Sequence, residues 1–132
     1  MKDRFDSAFK RLMIFEGGHV IDERDPGGET KYGISKRSYP DINIKSLTKQ
    51  QAKEIYRKDW WEKYKYDKMA TMCDGDYSEV AIRLFILAIN IGPKSAHKCL
   101  QRALVSCGEE LDIDGIIGGH TKQLLLSNGH RI

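Results

Sequence analysis

Three side chains in the first thirty residues have the types and spacing to do chemistry: Glu16, Asp25 and Thr30. Glu16 closes an apolar stripe. Phe5, Ala8, Phe9, Leu12 and Met13 recur at the i, i+3, i+4, i+7, i+8 spacing of a buried helix face, and the member at i+11 is Glu16. Apolar surroundings withhold solvation from a carboxylate and raise its pKa. The negative end of the helix dipole acts in the same direction. Gly17 and Gly18 stop the helix and leave a ligand room to approach, which makes Gly18 a candidate substrate contact. A glutamic acid kept protonated near neutral pH is the general acid a glycosidic oxygen needs. The plainer alternative is an exposed Glu at a helix end.

Asp25 lies nine positions after Glu16, in Asp25-Pro26-Gly27-Gly28, and Thr30 follows five later. A protonated Glu, an ionised Asp and a hydroxyl that can hold water form a set suited to glycoside hydrolysis. An inverting enzyme sets its carboxyl groups roughly 6.5–9.5 Å apart and a retaining one about 5–5.5 Å, a gap that residue spacing leaves open. Asp25 serves equally well as a turn residue with an Asx-type hydrogen bond. Tyr32 offers an aromatic face to a sugar ring, or to the core. Asn90 ends a buried helix, where it either satisfies backbone groups or touches substrate.

The elements that must position these groups are mostly helical. The first helix runs from about Lys2 to Phe15 or Glu16. From Gly17 to about Tyr39 the texture changes to a folded loop or small β-hairpin, with Asp25-Pro26-Gly27-Gly28 as its turn and Ser35 capping a short helix after it. Thr48 and Gln51 form a capping box, and Leu47 with Ala52 a hydrophobic staple. The apolar side of that helix continues through Ile55 and Tyr56 to Trp60, Trp61 and Tyr64. Ser78 caps a helix over about Glu79–Ile91 that is apolar all round and therefore central. Gly92-Pro93 breaks it and opens the next helix, which turns Ala96, Leu100, Ala103 and Leu104 inward. A turn over Asp112–Gly118 precedes a last helix from about His120 to Leu126.

The ordered series Glu16-Gly17-Gly18, Asp25-Pro26-Gly27-Gly28-Glu29-Thr30 and Gly33-Ile34-Ser35 resembles glycoside hydrolase family 108, the N-acetylmuramidases of phage endolysins and bacterial secretion activators. The likeness continues through Asp59-Trp60-Trp61 and Ala88-Ile89-Asn90-Ile91-Gly92-Pro93 to Asp114-Gly115-Ile116-Ile117-Gly118. It implies a mainly α, lysozyme-like fold with a small β-hairpin or loop after the first helix. It implies a catalytic part over 1–77 and a helical peptidoglycan-binding-like part over 78–132, packed as one unit. It also implies cleavage of the β-1,4 bond between N-acetylmuramic acid and N-acetylglucosamine, with Glu16 as acid and Asp25 and Thr30 placing water or stabilising the transition state. Family members commonly carry Asp where this chain has Ile86. A catalytically weakened or inactive wall-binding protein on the same fold is the alternative.

Composition sets the outer limits. With 132 residues and 40% apolar content the chain can bury a core. No apolar run reaches the roughly 18 residues of a membrane span, so stable membrane insertion is not expected. The charged start, Met1-Lys2-Asp3-Arg4, lacks the apolar run of a secretory signal. The expectation is synthesis in the cytoplasm and delivery to the wall through a holin lesion or a secretion machine. Eight basic residues stand against four acidic ones between Lys45 and Lys68, and Lys49, Lys53 and Arg57 form a helical ridge. That ridge is either a solvated face or an attractor for an anionic wall, and it lacks base-reading residues at a recognisable spacing, so nucleic acid is not expected. Cys73, Cys99 and Cys107 show no metal-ligand spacing, and neither a metal nor a cofactor is expected. The expected partner is bacterial peptidoglycan, met by a monomer.

Overall fold

The computed structural model describes residues 4–15, 21, 24, 28–71 and 77–128. Helix α1, Phe5–Phe15, buries Phe5, Ala8, Phe9 and Leu12, the stripe its spacing predicts. A two-stranded antiparallel hairpin follows, β1 Thr30–Lys31 and β2 Ile34–Ser35, with Thr30 opposite Ser35 and Lys31 opposite Ile34. Its turn is Tyr32-Gly33; Asp25-Pro26-Gly27, part of the expected turn, lies outside the described residues. Both turn residues have positive φ, 53° and 78°, as a two-residue hairpin loop that matches strand twist requires. After β2 the chain makes a single turn, in which the Ser35 hydroxyl accepts from the Ser38 amide, rather than the helix expected there.

A short 3-10 turn, Ile44–Ser46, leads to α2, Lys49–Tyr56. The Thr48–Gln51 capping box is present in both directions, at 2.8 and 3.1 Å, and Leu47 and Ala52 are both buried. The helix then widens to π-type turns over Arg57–Glu62 and continues to α3, Tyr66–Thr71. The central α4, Tyr77–Ile91, packs against α1, α3 and α5. It begins at Tyr77, one residue before the expected cap position Ser78. Pro93 opens α5, Pro93–Ser106, behind the positive-φ Gly92, and α6 spans Gly119–Asn128.

The core is an aromatic cluster where α1, α2 and its extension meet α4. Phe85 lies edge-on to Trp61 at 5.3 Å and to Phe5 at 6.0 Å, and Tyr56 reaches both Phe9 and Phe85. Lysozyme-like helical architecture with one small hairpin is therefore the fold. Among the described residues no helix is long and apolar enough to cross a membrane.

The basic ridge takes the solvated-face reading only at Lys49. Lys53 pairs with Asp6 at 2.5 Å, and the Arg57 guanidinium lies 4.6 Å from the centre of the Phe5 ring. These two cations tie α2 to α1 instead of presenting charge outward.

Candidate functional site

Thr30 opens the hairpin, and local structure explains why its strand stays in place. Tyr32 occupies a left-handed conformation that a bulky side chain adopts at a cost. The buried Tyr56 answers it by donating its hydroxyl to the Tyr32 carbonyl at 2.8 Å. The Tyr32 ring is half-buried against the core, with the Lys31 ammonium 5.7 Å from its centre. Lys31 in turn donates to the Lys45 carbonyl at 2.9 Å. The hairpin is thus bolted to α2 and to the 3-10 turn.

One face of this hairpin forms a wall of a cleft of about 620 Å³. Gly33, Ile34 and Ser35 line one side, Asp59, Trp60 and Tyr64 another, and Ile89 of α4 closes it. Tyr39 crosses it and donates its hydroxyl to Asp59 at 2.8 Å. Burial, then that hydrogen bond to Asp59, pushes the Tyr39 pKa well above its usual value. The raised pKa keeps the phenol protonated, as a donor to Asp59. Aromatic rings, hydroxyls and one carboxylate in an open groove are the fittings of a carbohydrate site, where rings stack on the C–H face of a sugar and the polar groups hold its hydroxyls.

Of the expected site residues, those among the described residues adjoin this cleft in the chain without lining it. Thr30 pairs with Ser35, which lines it, and Asn90 is the exposed neighbour of Ile89. Neither Thr30, Tyr32 nor Asn90 lines it directly. Glu16, Gly18 and Asp25 lie outside the described residues. Ile86 is half-buried against the core, one helical turn before Ile89. Sequence reasoning passed over Tyr39, Asp59 and Tyr64 as site residues. Trp60 and Tyr64 stood out as an aromatic run, but their meeting with Tyr39, two dozen positions earlier, is a tertiary fact.

A family model described as Glycosyl hydrolase 108 matches residues 9–92. This chain belongs to glycoside hydrolase family 108. It is accordingly a glycoside hydrolase, and at the family level a peptidoglycan hydrolase. Among solved structures, Brucella abortus SagA is similar, with 29% identity and a TM-score of 0.68 over 93% of this chain and 68% of that one. No curated protein matches the sequence. The family 108 match spans Glu16, Asp25 and Thr30 as well as the whole cleft, from Gly33 to Ile89.

Proposed function

We propose that this family 108 chain is an N-acetylmuramidase that cuts the β-1,4 bond from N-acetylmuramic acid to N-acetylglucosamine, with Glu16 as the general acid. The family match across Glu16 carries this reading. Asp25 and Thr30 act beside it, orienting water or stabilising positive charge on the sugar. The hairpin held by Tyr56 keeps Thr30 in position, and the Tyr39–Asp59–Trp60 cleft receives part of the glycan. Residues 78–132 contribute wall binding. The enzyme meets peptidoglycan as a monomer, outside the cytoplasm, after passage through a holin lesion or a secretion machine.

The test is release of new reducing ends from purified peptidoglycan. Glu16→Gln removes the transferable proton and is expected to lower the rate about 10²–10⁴-fold, the range for a general acid. Equal release by wild type and Glu16→Gln would sink the assignment. Ile86 supports a second reading, a weakened enzyme retained chiefly for wall binding. Under that reading Ile86→Asp raises turnover, and an unchanged or lower rate argues against it.

A further inference from the structure

A second cleft, of about 520 Å³, opens next to the aromatic one, and the two share Lys63 and Tyr64 as a common wall. Its chemistry differs. Lys63, Lys65 and Lys94 line it, and among its described lining residues Asp114 is the one carboxylate. Asp114 is already committed: its Oδ1 accepts from the Gln101 amide at 3.0 Å and from the Ile116 backbone amide at 2.9 Å. Three ammonium groups against one engaged carboxylate leave the cleft cationic. None of the three lysines has a carboxylate ion-pair partner among the described residues; Lys63 lies 5.4 Å from the centre of the Tyr64 ring, on the shared wall. Pro93 and Lys94 also open α5, so the positive end of that helix lies on the same side.

The floor is built rather than incidental. Gln101, 1% exposed, accepts from the Gly115 amide at 2.8 Å and donates to the Ile116 carbonyl at 3.0 Å. Gly115 has φ 80°, and a Cβ there would come within 2.7 Å of the Lys94 side chain. A glycine therefore lets the turn and Lys94 approach each other.

We propose that this cationic cleft is a subsite for a carboxylate carried on a side branch of the ligand whose glycan lies in the aromatic cleft. This deepens the muramidase reading and rests on it. Peptidoglycan fits that description chemically: its sugar chain is uncharged where the lactyl groups are acylated, and the attached short peptides end in free carboxylates. Lys63 and Tyr64 stand where chain and branch part, with Lys65 and Lys94 beyond them to receive the anion.

The probe is insoluble peptidoglycan freed of phosphate-bearing polymers, used as it is or after conversion of its carboxylates to primary amides. Sedimentation measures binding, and reducing ends measure cleavage of the same material. Wild type is expected to bind the free-acid form roughly threefold to tenfold more tightly than the amide, the effect of two exposed charge pairs. Added salt shrinks that preference. Lys65→Gln with Lys94→Gln abolishes it, and Lys65→Arg with Lys94→Arg keeps it. If amidation leaves wild-type binding unchanged, or the Gln pair retains the preference, the subsite is wrong. A preference seen only on walls that still carry phosphate polymers assigns the cleft to phosphate and overturns the carboxylate. Should wild type bind selectively yet release no reducing ends from either form, the muramidase reading fails and the subsite stands.

Discussion

Tyr56 reaches from the aromatic core to the Tyr32 carbonyl, and that one hydroxyl joins a strained turn to the centre of the molecule. Its ring packs in the core whether or not the oxygen is there. Tyr56→Phe should therefore keep the fold while leaving the Tyr32 carbonyl to solvent. The expected loss is about 1 kcal/mol of stability, the usual net worth of such a bond. It is read as a lower melting temperature. Turnover should fall further than that loss accounts for, because the freed hairpin carries Thr30. A variant that melts early but turns over at the wild-type rate would show that the hairpin's rigidity is not catalytic. The turn itself was hidden in the sequence. Asn-Gly or Asp-Gly announces a two-residue hairpin loop, whereas Tyr32-Gly33 does not, and the conspicuous Asp25-Pro26-Gly27-Gly28 drew the prediction instead.

Among the elements, α2 was the most legible, because its boundaries are set by local chemistry. Thr48 and Gln51 satisfy each other's backbone amides three residues apart, and no distant partner is needed. Thr48→Ala is expected to cost about 1 kcal/mol, measured by chemical denaturation. Gln51→Ala should cost less, since only the reciprocal bond goes. What the same helix does with its charged ridge was not legible. Lys53 and Arg57 turn to Asp6 and Phe5 because α1 happens to pack there, and a helical wheel carries no information about the neighbour. The widened turns at Arg57–Glu62 were equally invisible. They seat Trp61 at 1% exposure between Phe5 and Phe85, with its indole N–H unpaired among the described residues, while Trp60 lines the cleft.

Across the whole molecule, His97 joins three parts of the chain that are remote in sequence. Its Nδ1 lies 2.9 Å from the Gly115 carbonyl, which can only accept, so that nitrogen carries the proton. Nε2 then accepts from the Tyr66 hydroxyl at 2.6 Å. The buried ring is neutral. Desolvation lowers its pKa below the usual 6.5, against a smaller opposing effect of the Gly115 carbonyl. The unfolded chain therefore takes up this proton first as the pH falls. The contribution of His97 to stability is complete above about pH 6.5 and is lost as the pH drops below it. Melting temperature should decline between pH 7 and 5 in wild type. His97→Gln should melt lower at pH 7 yet show a shallower decline, and an equally steep one would exclude His97 as the cause. At lower pH the hydrogen bonds from Arg11 hold the Glu79 carboxyl below its usual 4.5, so that pair is lost only as the pH falls further.

The sequence by itself determined most of the helices, the Thr48–Gln51 capping box, the buried stripe of α1 and the family. Each of these is written in spacings of a few residues, where periodicity and hydrogen bonding act locally. It also singled out Thr30 and Asn90, which are next to cleft residues, Ser35 across the hairpin and Ile89 along the helix, without lining the groove. Only the tertiary structure decided that Tyr39 meets Asp59, that His97 and Gln101 are buried rather than solvated, and that three lysines from two segments surround one cleft. Those outcomes depend on how helices pack against one another. Packing is a property of surfaces that no single stretch of sequence contains.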